Sequence, residues 1–119
     1  IIPFMKSPLT NKRIAKSLKT EKFTPYYAVI FTSKLANTIG YSQMALQMEE
    51  LAQKQAGFMG MDSAREEVGI TVSYWKDLES IQAWKQNVDH LNAQKLGKKN
   101  WYESYSVRIA KVEREYENE

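Results

Sequence analysis

Apolar residues recur at helical spacing in two stretches of the chain, and runs rich in β-branched and aromatic residues alternate with them. The first helical stretch begins at Tyr41, and Glu, Gln and Lys occupy much of its other side. The second follows Asp77, a residue type that favours the N-cap position, and Gly97 is its predicted stop. The apolar positions are Tyr41, Met44, Ala45, Met48, Leu51 and Ala52 in the first stretch, and Ile81, Trp84, Val88 and Leu91 in the second. Together they predict two amphipathic helices.

Four stretches have the composition of β-strands: residues 25–33, 58–66, 69–75, and a last one from about Tyr105. The first has apolar side chains on both faces, which predicts a strand covered on both sides. In the last, the apolar period changes after Ile109, because Ala110 and Val112 fall on the other face. That change predicts a bulge or bend near Ile109.

The predicted order β-α-β-β-α-β is that of the ferredoxin-like arrangement. We therefore predict an α+β protein with a four-stranded antiparallel sheet and both helices on one face. The strands carry apolar or aromatic residues on the other face as well. Because an exposed apolar face of that size usually marks an interaction site, we predict a homodimer whose sheets pack face to face.

Composition limits the class of protein. The chain has 119 residues, of which 43% are hydrophobic, enough for one domain with a real core. It has no cysteine and a single histidine, so thiolate sites are excluded and no metal site is predicted. No apolar run approaches the roughly 18 residues of a membrane span, and the N-terminus does not resemble a secretory signal. A cytoplasmic location is the resulting expectation.

Positive charge is concentrated in the first 24 residues. They carry six basic side chains and one acidic one, a net charge of +5, whereas residues 25–119 carry 11 basic and 13 acidic ones. A basic arm can contact phosphate or an anionic membrane, but it is also found as a solvated leader. Few aromatic residues interleave with these charges, so we predict no nucleic-acid and no membrane partner. The predicted organisation is an arm over residues 1–24 and one folded domain over residues 25–119.

Several sequence stretches together resemble the antibiotic biosynthesis monooxygenase domain family. They are PYYAVIFTS in the first strand, YSQMALQMEELAQKQAGFMGMDSAR, GITVSYWKDLESIQAWK with the later DH, and WYESYSVRIAKVEREY at the end. The similarity covers roughly residues 25–116 and is greatest to small, uncharacterised bacterial members. It implies a dimeric α+β barrel with a ligand cavity between the helices and the sheet of each subunit.

The resemblance also implies two kinds of chemistry. Some relatives oxidise aromatic polyketides without metal or flavin, and others bind and cleave heme. In the heme-cleaving relatives the iron-ligating histidine corresponds to Gln94 here, and an asparagine of the first strand has no counterpart in residues 25–33. We therefore predict no cofactor, with heme possible but disfavoured.

Seven residues are the candidates for a site. His90 is the only side chain with an ordinary pKa near neutrality, and with Tyr27 and Tyr105 it forms the catalytic set. Alternatives stay open: His90 also fits an exposed helix position, and the two tyrosines also fit packing within a sheet. The candidate ligand-binding residues are Phe31, Trp75, Trp84 and Arg65, of which Trp84 equally fits the core and Arg65 a surface ion pair.

Two hypotheses for the function remain. The first is a cofactor-independent monooxygenase-like enzyme for a hydrophobic, aromatic small molecule, in which hydrogen-bond donors stabilise a substrate enolate that reacts with oxygen. The second is a non-catalytic small-molecule or heme-binding module with the same pocket. The resemblance alone does not choose between them, because one fold hosts many activities.

Overall fold

Residues 24–91 and 101–118 are described in the structure, a computed structural model. In chain order the elements are β1 (Tyr26–Leu35), α1 (Tyr41–Gln53), β2 (Phe58–Arg65), β3 (Val68–Trp75), α2 (Leu78–Leu91) and β4 (Tyr102–Val112). Most of the basic arm, the predicted helix stop Gly97 and Gln94 lie outside the described residues. The described domain has the predicted β-α-β-β-α-β order.

The four strands form one antiparallel sheet in the order β2-β3-β1-β4. The first strand is therefore central, as its two apolar faces predicted. Helix α1 contacts β2 and helix α2 contacts β3. The ferredoxin-like α+β fold of the dimeric α+β barrel class is thus confirmed.

Cross-strand partners define two faces of the sheet. Tyr27 pairs with Trp75, and the Trp75 ring stacks on Trp84 of α2, so this face is the helix side. Phe31 lies on the same face, with Val107 of β4 as its cross-strand partner. Tyr26, Ala28 and Ile30 alternate onto the opposite face, which we call the far side.

Strand β4 differs from its prediction in two ways. It begins at Tyr102 rather than near Tyr105, and its register against β1 runs without interruption from Val112 to Ser104. The predicted bulge near Ile109 is therefore wrong, because Ala110 and Val112 simply occupy the far side, which is polar at Ser104, Ser106 and Arg108 and becomes apolar at the end of the strand. The register shift with β1 comes at Lys34 and Leu35, opposite Tyr102, and β2 has another between Phe58 and Gly60.

The two helices begin differently. Asp77 accepts hydrogen bonds from the backbone N–H of Ser80 at 2.8 Å and from its hydroxyl at 2.7 Å, which confirms the predicted N-cap of α2. Both bonds favour the ionised carboxylate, so they lower the pKa of Asp77. Helix α1 instead follows Gly40 in the left-handed conformation, with φ of 79°, and has no side-chain cap.

The far side is partly apolar. Val68 and Ile70 of β3 are 49% and 46% exposed there. The same face also carries polar contacts, since Tyr74 donates to Asp62 at 2.9 Å and Tyr26 donates to Glu115 of the C-terminal segment. Among the described residues, no helix is long and apolar enough to cross a membrane.

Candidate functional site

One end of the helix side is closely packed with aromatic rings. Trp75 is fully buried, with Phe58 edge-on at 5.3 Å and Trp84 stacked at 5.8 Å between ring centroids. The indole N–H of Trp75 donates to the Ser73 hydroxyl at 2.8 Å, so its one polar atom is satisfied. We call Phe58, Ser73, Trp75 and Trp84 the tryptophan end. It has the character of a core.

A second aromatic cluster lies at the opposite end of the same face. The Phe31 ring lies 5.3 Å from that of Tyr102 and 5.5 Å from that of Tyr105, and Tyr41 of α1 meets Tyr102 edge-on at 6.0 Å. From Tyr27 to Ser33, six residues of β1 separate the two ends by about 20 Å. We call Phe31, Ser33, Tyr41, Arg65, Tyr102 and Tyr105 the arginine end.

Arg65 crosses the sheet at this end. It is the last residue of β2, and its guanidinium passes over Gly69 of β3 to donate a hydrogen bond to Ser33 of β1. A Cβ on Gly69 would overlap the guanidinium, so glycine lets the Arg65 side chain take this path without shifting. The Tyr41 ring covers the guanidinium, with 5.2 Å between Cζ and the ring centroid.

The guanidinium is incompletely paired. Its Nη1 atom is buried and has no hydrogen-bond partner in the part of the chain that the structure describes. The described contacts of Arg65 are a hydroxyl and a tyrosine ring, and neither carries a negative charge. Buried polar atoms are nearly always hydrogen-bonded in proteins, so this atom requires an explanation.

Tyr102 lies beside Arg65 and Tyr41. Burial raises the pKa of Tyr102 well above its ordinary value, and Tyr41 adds to the shift through its charge and a hydrogen bond; Arg65 opposes it. Tyr102 therefore keeps its proton at neutral pH. Its hydroxyl interacts with that of Tyr41 and lies near the permanent positive charge of Arg65.

The arginine end opens onto an exposed strip of β4. The helices contact β2 and β3, and three helix-side residues of β4 stay exposed: Tyr105 at 63%, Val107 at 50% and Ile109 at 53%. We call these three residues the β4 ledge. Apolar side chains exposed side by side beside half-buried rings are typical of small-molecule sites.

The structure separates the seven predicted site residues. Phe31, Tyr105 and Arg65 come together at the arginine end. Tyr27, Trp75 and Trp84 lie at the tryptophan end, where the fully buried Trp75 ring exposes no surface. His90 is exposed on α2, about 120° around the helix from Trp84 at 100° per residue, so its side chain is directed away from the sheet.

Three residues of the arginine end, Ser33, Tyr41 and Tyr102, were not among the predicted ones, and neither was Gly69, which Arg65 crosses. Tyr41 and Gly69 had been assigned to a helix seam and a strand start. Tyr102 precedes the predicted last strand, which started near Tyr105. The only available signal was Arg65 close to Gly69 across a short β2–β3 connection, a pairing that allows a long side chain to cross a bare backbone.

Comparisons with known proteins agree with this architecture. A family model described as monooxygenase af470-like matches residues 22–118. The chain belongs to this family. The resemblance to antibiotic biosynthesis monooxygenase domains is thereby confirmed. The uncharacterized protein YqjZ of Bacillus subtilis (strain 168) is 49% identical to this chain over 94 residues, which are 76% of this chain and 82% of that protein.

Two solved structures with this fold contain porphyrins. A mutant of MhuD with two manganese protoporphyrin IX bound per active site superposes with a TM-score of 0.58 at 20% identity, over 77% of this chain and 99% of that one. The heme-degrader MhuD from Mycobacterium tuberculosis, with two hemes bound in its active site, gives 0.52 at 15% identity, over 76% and 99%. The prediction of no cofactor, with heme disfavoured, is corrected by these neighbours: the fold accommodates porphyrins.

The arginine end has features that suit a porphyrin. A porphyrin presents a flat apolar ring and carboxylates, and the β4 ledge, the four rings and Arg65 match these groups. Those residues are the ones that would hold it. His90 does not face this surface, and Gln94, the position aligned with the iron ligand of relatives, lies outside the described residues.

Proposed function

We propose that the protein is a monooxygenase for small aromatic molecules, which it binds between the β4 ledge and the rings of the arginine end. The observation that carries the proposal is the cluster of Phe31, Tyr41, Tyr102 and Tyr105, which is half-buried on one side and continuous with exposed apolar residues on the other. Such rings stack on a flat substrate in offset or edge-on geometry. Membership in the monooxygenase af470-like family supports the reaction class.

The chemistry we propose is the oxygenation of an activated ring carbon. A substrate CH₂ group next to a phenol or carbonyl reacts with O₂ to give a C=O group, and the second oxygen atom leaves as water with the two hydrogens. Loss of the first proton places negative charge on the substrate oxygen. The protonated Tyr102 stabilises that oxygen by donating a hydrogen bond, with Tyr105 as a second donor at the mouth.

The test measures oxygen consumption in air with anthrone, naphthols and naphthohydroquinones as substrates. We expect one O₂ consumed per molecule of oxidised substrate. Tyr102→Phe should lower the rate by about 10²-fold, which is the scale of losing a donor to a developing oxyanion. Tyr116→Phe, which removes an equivalent hydroxyl from the exposed C-terminal segment, should leave the rate unchanged. A wild-type protein that consumes no oxygen across the panel would contradict the proposal.

A second candidate is a binding module for flat aromatic molecules, including porphyrins, without turnover. It is favoured by the position of His90, the one candidate general base, which lies away from the arginine end. The polar groups described at that end are tyrosine hydroxyls, a serine hydroxyl and a guanidinium, and none of them is a base at neutral pH. When bound, heme supplies an iron that reacts with oxygen. Titration with hemin decides this candidate: a saturable Soret change that Val107→Glu weakens supports it, and an unchanged spectrum contradicts it.

We also propose that the protein is a cytoplasmic homodimer that pairs through the far side. The exposed Val68 and Ile70 support this arrangement, because paired sheets would remove them from water. Light scattering should give twice the mass of one chain. Ile70→Lys should shift the mass towards that of one chain, whereas Ile39→Lys, on an exposed loop, should not. A wild-type protein of single-chain mass would contradict the dimer.

A further inference from the structure

The charge of Arg65 is not balanced within the arginine end. A guanidinium stays protonated at any physiological pH, so it cannot avoid burial by becoming neutral. Its contacts are the Ser33 hydroxyl, the Tyr41 ring and the neighbouring Tyr102. None of these is an anion, and Nη1 has no hydrogen-bond partner among the described residues. A desolvated charge without a counter-charge is unfavourable unless something else compensates it.

The position of this charge is fixed by the surrounding residues. Gly69 provides the gap through which the Arg65 side chain crosses β3. On the next strand, β1, Ser33 accepts a hydrogen bond from one guanidinium nitrogen. Tyr41 and Ser33 come from different elements, so the guanidinium is held from two directions. A surface arginine that serves only solubility needs no such arrangement.

We propose that the arginine end binds a carboxylate of its aromatic ligand, through Arg65 and the Tyr102 hydroxyl, so that the substrate class is the aromatic carboxylic acids. This inference rests on the proposed function and adds the charge of the ligand to it. A carboxylate matches the planar guanidinium and accepts two parallel N–H bonds, and Tyr102 supplies a third donor.

The spacing of the rings places the rest of the ligand. The Tyr41 ring contacts both the Arg65 guanidinium and the Tyr102 ring, and the Tyr102 ring lies 5.9 Å from that of Tyr105 at the ledge. A ligand whose carboxylate meets Arg65 therefore has its aromatic ring beside these tyrosines. Because Nη1 is covered, the carboxylate enters as the Tyr41 ring turns aside. Tyr41 begins α1 directly after the left-handed Gly40.

The experiment compares 2-naphthoate with 2-naphthamide, which has the same ring and no charge, by isothermal titration calorimetry. We expect the wild-type protein to bind the acid at least about 10-fold more tightly, the scale of a charge-assisted hydrogen-bond pair. Arg65→Gln should abolish this preference, and Arg65→Lys should keep part of it. Arg108→Gln is the matched control, since Arg108 also bonds a serine hydroxyl on a strand but lies exposed on the far side.

The outcomes separate the inference from the function on which it rests. If the wild-type protein binds acid and amide equally, the carboxylate site is overturned and the aromatic site stands. If neither compound nor the phenols used above bind, both are overturned. An equal loss of preference in Arg65→Gln and Arg108→Gln would also overturn the site, because general attraction to the protein's net charge would then explain it. The wild-type comparison decides even if an Arg65 variant fails to fold.

Discussion

The two ends of the helix side contain similar residues in opposite states. The tryptophan end packs two rings around a fully buried Trp75, and the Trp75 indole N–H is satisfied by Ser73. The arginine end brings four rings together beside a guanidinium whose Nη1 has no hydrogen-bond partner among the described residues. A strip of exposed apolar residues lies next to them. The buried polar atom of the tryptophan end is thus hydrogen-bonded, whereas Nη1 of the arginine end has no such partner in the part of the chain that the structure describes.

The difference indicates how the fold divides its work. Satisfied polar atoms and close packing stabilise a domain, whereas an unsatisfied charge and exposed apolar surface lower its stability. Proteins usually keep such destabilising features at functional sites. In a domain that is stable by about 5–15 kcal/mol, the tryptophan end is where that stability should be concentrated. The following experiments would break or sharpen this comparison.

The largest effect is expected at the tryptophan end. Trp75→Ala should lower the free energy of unfolding by about 3–5 kcal/mol, because it leaves a cavity lined by Phe58 and Trp84. Tyr105→Ala at the arginine end removes a ring of comparable type that is 63% exposed, and it should cost less than about 1 kcal/mol. Urea unfolding measures both. Equal losses would show that the two ends do not differ in packing.

Gly69→Ala should have the next largest effect. The added methyl group overlaps the Arg65 guanidinium, which is the flexible end of a long side chain and can shift, so we expect a loss of about 1 kcal/mol, the lower end of the overpacking range. In an Arg65→Ala background the overlap is gone, and the same substitution should cost much less. The double-mutant cycle measures this coupling in urea. Additive losses would mean that Arg65 does not cross Gly69.

A smaller effect concerns the start of α2, at the tryptophan end. The pKa of Asp77 is lowered in the folded protein from 3.8, so its charge stabilises the fold above pH 3.8 and ceases to do so as the pH falls through the folded pKa. Asp77→Ala should lower the melting temperature at pH 7. Asp77→Asn keeps a capping side chain, so its deficit should be smaller and should vanish at low pH. A deficit that is constant with pH would contradict the charge effect.

The smallest effect is expected at His90. Its exposed side chain points away from the sheet, so His90→Gln should leave both the melting temperature and the binding of aromatic ligands unchanged. Calorimetric titration with 2-naphthoate, with Arg65→Gln as the positive control, checks this. A loss of binding in His90→Gln would show that the histidine is part of the binding site and that the six residues of the arginine end do not define it.

Most of the fold could be predicted from local pattern. Helical spacing of apolar residues predicted α1 and α2. The N-cap of α2 was predicted because Asp77, a residue type that favours this position, directly precedes the helix. The start of β4 and the absence of a bulge at Ile109 could not be predicted, because the far side of β4 changes from polar to apolar at Ala110 and this change imitates a change of period. Only pairing with β1 defines its register.

The site was predicted less well. Phe31, Tyr105 and Arg65 were named as candidates and lie together, but Tyr27, Trp75 and Trp84 were named on the same grounds and lie at the other end. Aromatic composition does not distinguish a packed ring from a pocket wall. That distinction depends on how the strands are covered in the fold, and among the described residues Tyr105, Val107 and Ile109 of β4 stay exposed.

The sequence by itself determined the element order, the fold class and the family, because hydrophobic period and capping residues act over a few neighbouring positions. Only the tertiary structure decided that Arg65 meets Ser33, Tyr41 and Tyr102, residues between 24 and 37 positions away along the chain. Electrostatic imbalance is a property of three-dimensional neighbours. The same arginine that reads as a surface charge in the sequence therefore becomes, once the sheet forms over Gly69, the one cation of the arginine end without a counter-charge among the described residues.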